Sequence, residues 1–314
     1  MDELHTFLFE GQPVRGLLVR LARGWPAMLS RREPDDAHPP AVRNLLGEMT
    51  AAAVLMHANL RYGGTLILQV HGDGPVKLAV VEVNADLSYR ATAKVMGEVA
   101  DDATLESMIN AHGRGRCAMT LDPADAAGGQ QPYQGVVDLR VGGSETSATS
   151  MAQVLEHYMR QSEQLATCFM LAADDTGAAG LLVQRLPVEG EGNLLGVVDA
   201  DEAFNRAAHL VGTVTRDELL RVDVPVVMRR LFWQEDLRLF EVRHPAFACR
   251  CSRERVRSML RSLGFAEVQS VLEERGDVEI SCDFCGVRYR FDAVDIGEMF
   301  AHPIDQPPGS SAIN

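Results

Sequence analysis

The chain has 314 residues, of which 46% are hydrophobic and 24% are charged, and its formal net charge is -14 at pH 7. That length and composition are typical of a folded protein of about two domains and exclude wholesale disorder. A net anion is repelled by polyphosphate, which argues against a general nucleic-acid binder but leaves a local basic patch open. The longest apolar runs, Ala51–Met56 and Cys168–Ala173, are far shorter than the roughly 20 residues of a membrane helix.

The N-terminus carries acidic residues, Asp2 and Glu3, where a signal peptide would carry basic residues followed by an apolar core. We therefore expect a cytoplasmic protein. In the cytoplasm, clustered thiols are more often metal-binding or redox-active than part of a disulfide framework.

The first predicted region, residues 1–187, alternates helical and extended patterns. Apolar residues at three-to-four spacing predict a helix over Ala41–Leu60, and Ser150 is a candidate N-cap for a helix over Ser150–Gln161. Asp122–Pro132 has the composition of a loop. Strands are predicted at Thr65–Val70, Val76–Val83, Arg90–Lys94, Arg116–Leu121, Gln134–Val141, Cys168–Ala172 and Gly180–Arg185. Because these strands come in adjacent pairs with helices between the sets, the pattern favours an α+β fold over a repeated βαβ unit.

The second predicted region, residues 188–243, is a helical linker. It begins with the polar stretch Glu189–Asn193 and continues with short helical patterns at Asp201–Leu210, Thr215–Leu220 and Pro225–Trp233. Closely spaced charges interrupt these patterns, so each helix buries little apolar area and depends on docking to a neighbour. We expect this region to be among the less stable parts of the protein.

The third predicted region, residues 244–302, is a small domain, and Pro303–Asn314 is predicted to be a flexible tail. Ser252 is a candidate N-cap for a helix that continues through Leu263, with Gly264 as a left-handed C-terminal residue. Strands are predicted at Val278–Ser281 and Val287–Phe291.

Four cysteines of this region form two close pairs, Cys249-x-Cys251 and Cys282-x-x-Cys285, separated by 30 residues. Four thiolates suit a tetrahedral, borderline-soft ion, and Zn²⁺ is the usual one. The second pair, followed by Gly286, has the form of a zinc knuckle between two strands. A unit this small holds little core, and metal binding contributes on the order of 10–16 kcal/mol to the folding of such units.

Both a purely structural zinc and a redox-sensing zinc are compatible with this spacing. A closed shell of four sulfurs has no open position for water, which argues against hydrolysis. Redox sensing is favoured because each close pair could form its own disulfide once zinc leaves, and because arginines surround the pairs in sequence. Charge balance for an anionic zinc–sulfur centre explains the same arginines equally well. They are Arg250, Arg253, Arg255, Arg257, Arg288 and Arg290.

The chain resembles the redox-regulated bacterial holdase chaperones, the thirty-three-kilodalton heat-shock protein family. The resemblance covers nearly the whole chain and is most specific around the cysteines. It rests on Phe247–Val256, Val278–Cys285, Tyr289–Phe291, Tyr158–Thr167, Ala179–Pro187, Tyr133–Val136 and Gly74–Val76.

The resemblance implies an ATP-independent chaperone that is not an enzyme and has no catalytic residue. One zinc per chain would be held by the four cysteines in the reduced, inactive form. Oxidation would form the disulfides Cys249–Cys251 and Cys282–Cys285, release zinc, and unfold the small domain and the linker. The exposed apolar surface would then hold unfolded client proteins, and the active form would be a homodimer.

Two other functions compete with this interpretation. A zinc-ribbon nucleic-acid binder would use the arginines around the knuckle, but the acidic balance and the lack of interleaved aromatic residues weaken it. A thiol–disulfide oxidoreductase would use Cys282-x-x-Cys285, a motif that normally accompanies a βαβ pattern. Cys117 and Cys168 lie singly in strand-like apolar segments and are predicted to be buried structural residues.

Overall fold

A computed structural model describes residues 1–60, 62–124, 131–140, 148–187 and 194–301. The chain divides into two compact units, Met1–Ala248 and Cys249–Asn314. Both contain helices and antiparallel strands, which confirms the predicted α+β class. Parts of three predicted segments lie outside the described residues: positions 125–130 of the predicted loop, the polar stretch Glu189–Asn193 and the tail Pro303–Asn314.

One antiparallel sheet of the first unit joins strands from both ends of that unit. The strand order is β10-β1-β2-β9-β8. The strands are β1 (Glu3–Phe9), β2 (Val14–Leu21), β8 (Thr167–Asp174), β9 (Gly177–Arg185) and β10 (Leu237–Leu239). The sequence predicted β8 and β9 but missed the other three. A strand with one exposed face shows buried and exposed residues in alternation. In β2 the four consecutive residues from Gly16 to Val19 are all buried, because both faces of the sheet are covered here.

The second sheet of this unit has the order β11-β5-β4-β3-β6-β7 and is antiparallel except where β11 pairs with β5. Its strands are β3 (Thr65–His71), β4 (Val76–Val83), β5 (Ser88–Val95), β6 (Arg116–Asp122), β7 (Tyr133–Asp138) and β11 (Ala246–Phe247). The five predicted strands are confirmed and β11 was missed; the largest differences are that β5 starts two residues earlier than predicted and that β7 ends at Asp138. The prediction for β7 ran on to Val141, which lies outside the described residues.

The long helix α2 (Pro40–Leu60) lies between the two sheets and packs on strands of both. All six residues of Ala51–Met56 are buried, so the helix is covered nearly all round and not along one stripe. A side chain at Gly180 would bring its Cβ within 2.8 Å of Leu55, which shows how closely β9 approaches the helix. The main apolar core lies here.

Shorter helices complete this part of the unit: α1 (Gly24–Leu29), α3 (Leu105–Ile109) and α4 (Met151–Ser162). The predicted cap of α4 is confirmed, since the Ser150 hydroxyl oxygen accepts a hydrogen bond from the Gln153 N–H at 3.3 Å. Helix α4 packs against β7 and β8.

Three helices cover the outer face of the first sheet: α5 (Leu194–Val211), α6 (Arg216–Arg221) and α7 (Val224–Leu231). Helix α5 begins seven residues before its predicted start, and α7 ends two residues before its predicted end. Thr215 and Glu218 form a capping box at the start of α6. Together the helices and the sheet bury a second apolar cluster that includes Phe7, Phe9 and Leu181.

The second unit is a small arrangement of helices around a hairpin. Its elements are α8 (Arg253–Leu263), α9 (Phe265–Arg275), β12 (Val278–Ser281), β13 (Arg288–Phe291) and α10 (Ala293–Ala301). The sequence predicted α8 and both strands but missed α9 and α10. Seven of the described apolar residues form its buried core: Leu260, Val268, Leu272, Val278, Phe291, Ile296 and Met299.

The predicted left-handed end of α8 at Gly264 is wrong in its conformation. Gly264 has φ +93° and ψ 153°, a region open essentially to glycine alone, and it joins α8 directly to α9. The left-handed C-terminal glycine is instead Gly276, with φ +83° and ψ -21°, at the end of α9.

Candidate metal centre

The four cysteines of the second unit come from two short segments. Cys249 and Cys251 precede α8, which begins where the Ser252 hydroxyl oxygen accepts from the Arg255 N–H at 3.2 Å. Ser252, which is extended, fixes the first turn of α8, so the two cysteines lie immediately before the start of this helix.

Cys282 and Cys285 lie in the turn of the β12–β13 hairpin. The Gly286 N–H donates to the Cys282 carbonyl at 2.8 Å, and the Cys282 N–H donates to the Val287 carbonyl at 3.0 Å. Gly286 has φ +71°, the positive value that this turn predicts. The hairpin thus has the geometry of a knuckle that directs both thiols to one side.

The four sulfur atoms lie within 4.8 Å of one another. The shortest contacts join the two motifs: the Cys251 and Cys285 sulfurs are 3.3 Å apart, and those of Cys249 and Cys282 are 3.7 Å apart. In a tetrahedral zinc site with bonds of about 2.3 Å, neighbouring sulfurs are about 3.8 Å apart. The donor set is therefore consistent with one zinc ion in both chemistry and size.

The cluster is partly enclosed, since Cys285 is buried and the other three are half-buried. Burial raises the pKa of Cys249 and of Cys285. Burial also opposes ionisation of Cys251, but hydrogen bonds from Tyr289 and from the other cysteines outweigh it and lower the pKa of Cys251. The thiols of the cluster therefore differ in how readily they ionise before a metal is added.

Tyr289 contacts the cluster, although the sequence assigned it no role there. Its hydroxyl hydrogen-bonds the Cys251 sulfur, and this contact raises the pKa of the tyrosine. Tyr289 lies on β13 opposite Ile280, four residues after Cys285. The sequence did contain one indication of this contact: a tyrosine, which has a polar hydroxyl, on the predicted strand that follows Cys285.

Two of the arginines near the cysteines in sequence, Arg253 and Arg290, are engaged by other groups of the second unit. Arg253 donates to the Arg290 carbonyl and to Asp295, both at 2.8 Å, and lies over the Phe291 ring at 4.3 Å. Arg290 pairs with Glu279. These contacts join α8, the hairpin and α10, which removes support from a nucleic-acid interface made by the same arginines.

The remaining cysteines lie in the first unit, apart from this cluster. Cys117 is fully buried in β6, and burial raises its pKa to about 12. Cys168 is half-buried beside Glu156; burial and the neighbouring carboxylate raise its pKa to about 12. Both thiols are protonated at neutral pH, which suits structural residues.

Two histidines flank the four cysteines in sequence, His244 and His302, and neither is expected to be a ligand where four cysteines are present. His244 lies in the first unit, where its Nδ1 is 2.9 Å from the Asp2 carbonyl oxygen. His302 lies outside the described residues. Within the described part of the chain, the four-cysteine cluster is the group in which three or more Cys, His, Asp or Glu side chains lie close enough to share a metal ion.

Two further groups that could carry chemistry, the Asp73 carboxylate and the Cys282-x-x-Cys285 motif, have a structural explanation. Asp73 accepts hydrogen bonds from the N–H groups of His112 and Arg114, so it holds a loop. Cys282-x-x-Cys285 lies in a hairpin turn, not between a strand and a helix of a βαβ unit, which removes support from an oxidoreductase. No described helix has the length and apolar character needed to cross a membrane.

Comparisons with known proteins identify similar chains. The family model described as Hsp33 protein matches residues 2–292. The 33 kDa chaperonin of Chromobacterium violaceum is 45% identical over 303 residues, covering 96% of this chain and 95% of the relative. That of Methylobacillus flagellatus is 42% identical over 307 residues, covering 98% and 97%. The crystal structure of the Thermotoga maritima 33 kDa chaperonin has a similar fold, with a TM-score of 0.72 at 19% identity over 95% of this chain and 98% of that one.

Proposed function

Because the chain belongs to the Hsp33 family of redox-regulated chaperones, which are not enzymes, we propose that its four-cysteine zinc site works as an oxidation-triggered release for a holdase. In the reduced form Cys249, Cys251, Cys282 and Cys285 hold one Zn²⁺, and the protein is inactive. The observation that carries the proposal is the convergence of all four sulfurs within 4.8 Å.

Zinc in this site is a structural ion whose loss is the signal. Four thiolates close the coordination shell, so the ion has no open position for substrate or water. When bound, it supplies the positive charge that stabilises thiolates at a site where burial otherwise opposes the ionisation of Cys249 and Cys285.

Peroxide supplies the oxidising equivalents. A thiolate attacks one peroxide oxygen to give a sulfenic acid and hydroxide, and a second thiolate displaces hydroxide from that sulfur to form the disulfide. Each disulfide consumes one peroxide and two thiolates, so two peroxides oxidise the site and Zn²⁺ departs.

We assign the disulfides as Cys249–Cys251 and Cys282–Cys285. In the resting geometry the nearest sulfurs belong to different motifs, so proximity alone does not select this pairing. Once the ion leaves, the two motifs separate, and each cysteine keeps only its own neighbour in the chain within reach. Disulfides within each motif are therefore favoured over disulfides between the motifs.

Release of zinc then acts on the regions proposed from the sequence: a core over 1–187, a linker over 188–243 and a switch domain over 244–302. A unit with a small apolar core loses its fold with its metal. Between α7 and that unit the chain forms β10, which pairs with β1, and β11, which pairs with β5. We propose that unfolding of the unit weakens these short pairings and with them the docking of the linker. Detachment of α5–α7 uncovers the apolar face that includes Phe7, Phe9 and Leu181.

Unfolded proteins are the clients of an Hsp33 chaperone. Binding them requires an exposed apolar surface and no ATP. We further propose that the active form is a homodimer and that the protein works in the cytoplasm.

The test follows zinc release with a colorimetric chelator while peroxide is added to the reduced protein at raised temperature. The same samples are scored for suppression of aggregation of a thermally unfolded test protein. We expect one zinc per chain to leave as activity appears, and a thiol reductant with zinc to reverse both. Equal activity of the reduced, zinc-bound protein would contradict the switch, and a Cys168→Ser variant that behaves as wild type is the matched control.

A further inference from the structure

Among the described residues, four ion pairs join the segment 194–231, which contains α5–α7, to the sheet and the helix beneath it. One pair lies in the first half of α5, two lie at the two ends of α6, and one lies at the residue before α7. The pairs are Arg185–Asp201 at 3.2 Å, Arg20–Asp223 at 3.3 Å, Arg216–Glu48 at 2.9 Å and Arg221–Asp174 at 3.1 Å. Ion pairs thus contribute to the docking of all three helices.

These pairs lie at the margin of the contact and not inside it. The apolar cluster beneath α5–α7 is buried, whereas the partners from the segment are between 50% exposed, for Arg216, and 80% exposed, for Asp223. In each pair the partner from the core is the less exposed side chain, from 15% for Arg20 to 30% for Arg185. Water and dissolved ions therefore reach every pair, and salt screens pairs that are exposed in this way.

Two of the arginines also donate to backbone carbonyls across the contact. Arg20 donates to the Val222 carbonyl at 2.6 Å, and Arg216 donates to the Ala173 carbonyl at 2.7 Å. The second bond holds each guanidinium in place, so these pairs avoid part of the side-chain entropy cost that weakens most surface ion pairs.

The charges of the four pairs have both signs on each side of the contact. The core supplies two arginines and two carboxylates, and the segment supplies their complements. The contact therefore gains four attractions although the whole chain has a net charge of -14. Salt weakens these attractions, whereas its screening of the net charge relieves repulsion and favours the compact chain. Because the two effects of salt have opposite signs, an experiment distinguishes them.

We propose that the four pairs form an ionic lock, so that a rise in ionic strength eases the detachment of α5–α7 from the sheet. The buried apolar cluster still holds the segment at high salt, so salt alone does not activate the reduced protein. Salt increases the fraction of molecules in which the segment is transiently detached, and with it the response to oxidation. The inference rests on the proposed function for the role of α5–α7 as the segment that detaches.

The test measures amide hydrogen exchange in the full, reduced, zinc-bound chain at neutral pH. It compares about 0.05 M with about 0.5 M sodium chloride, where the Debye length is about 14 Å and about 4 Å. Screening of each pair is expected to speed detachment by a factor between about 1.3 and about 1.8, so exchange over residues 199–231 should be about three to ten times faster at the higher salt. Exchange over α2 should be unchanged or slower. Unchanged or slower exchange over 199–231 would overturn the lock.

Exchanging the charges of one pair assigns the effect to the contact. Arg185→Asp and Asp201→Arg each place like charges opposite one another, and each is expected to speed exchange over 199–231 about twofold to fivefold at low salt. The double variant restores the attraction and should return to the wild-type rate and salt response. Arg116→Ala is the control, because it removes an exposed ion pair between β6 and β7, outside this contact, and should leave the salt response unchanged. A double variant that exchanges as fast as the single variants would overturn the assignment.

These measurements need neither an oxidant nor a client protein, so they separate the lock from the proposed function. Salt-dependent exchange in a chain that shows no holdase activity after oxidation would contradict the proposed function and support the lock. Salt-insensitive exchange in a chain whose activity follows oxidation would overturn the lock alone.

Discussion

The two units of this chain are stabilised by different means. In the first unit, two sheets enclose α2 in an extensive apolar core, and α5–α7 add a second cluster on the outer face. In the second unit, seven apolar residues are the buried core of the described part, beside four converging thiols. Burial of apolar area stabilises the first unit, and the second needs metal–sulfur bonds for what its core does not supply.

This difference explains why an oxidant acts on one unit and spares the other. Peroxide does not attack a core of leucine and valine, but it removes the thiolates on which the metal depends. The two cysteines of the first unit have raised pKa values and are mostly protonated at neutral pH. Among the cysteines, the thiolates that peroxide attacks are thus concentrated in the unit with the smaller core.

Zinc removal is the strongest way to test this comparison. Cys285→Ser, or chelation of the reduced protein, is expected to unfold the second unit completely, since structural zinc contributes on the order of 10–16 kcal/mol in units of this kind. Hydrogen exchange should show loss of protection over 253–301 and retention over α2. Persistent protection of α8 without zinc would show that the apolar core alone is sufficient.

The converse experiment weakens the first unit alone. Leu55 is fully buried in α2, and Leu55→Ala is expected to destabilise the first unit by about 2–5 kcal/mol through lost burial and the cavity left behind. Denaturant unfolding followed by the fluorescence of buried Trp25 measures the loss, and zinc content should not change. Leu239→Ala, at a position 62% exposed, is the control, with an expected cost below about 0.5 kcal/mol.

A smaller effect is expected where α6 meets the core. Arg216 donates to Glu48 at 2.9 Å and to the Ala173 carbonyl at 2.7 Å. Burial raises the pKa of Glu48, and Arg216 opposes that rise. Arg216→Ala leaves a half-buried carboxylate without its partner, and we expect a cost of about 1 kcal/mol, seen as faster amide exchange in α6 at neutral pH.

The pH dependence of this loss has a definite sign. A carboxyl whose folded pKa exceeds its unfolded value binds protons more tightly in the folded state, so stability falls as pH rises between the two values. Without Arg216 that gap widens, so the loss should be largest above the folded pKa and small below the unfolded one. Glu48→Gln in the Arg216→Ala background should remove the pH dependence, and an unchanged profile would contradict this account.

Patterns among residues close together in the sequence predicted the features that depend on neighbouring residues: helices, their caps and the cysteine motifs. The Ala41–Leu60 periodicity, the Ser150 and Ser252 caps and the spacing of the four cysteines all correspond to observed features. Pairings between distant segments had no such signal. Strand β1 pairs with β10, more than 220 residues along the chain, and neither strand was predicted.

Other features needed knowledge of a neighbour in space. Gly135 and Tyr158 belong to two separate segments on which the family resemblance rests. The structure brings them together: a Cβ at Gly135 would lie 2.1 Å from the Tyr158 hydroxyl, so the tyrosine requires a glycine at this position. Similarly, the Arg253 contacts with Asp295 and Phe291 show that an arginine near the cysteines in sequence serves helix packing. Sequence proximity identified the site but not the partners of its charged residues.

The smallest expected effect is that of removing the Tyr289 hydroxyl, which contacts one of the metal-binding thiols. The Tyr289 hydroxyl donates to the Cys251 sulfur, and a hydrogen bond to a thiolate makes the sulfur a weaker nucleophile. Tyr289→Phe removes this bond without shortening the ring, and we expect peroxide to release zinc about two to five times faster, as a loss of about 0.5–1 kcal/mol predicts. Tyr133→Phe, at an exposed position in β7, is the matched control. A release rate equal to wild type would mean that the metal, and not the hairpin beside it, sets the reactivity of the sulfurs.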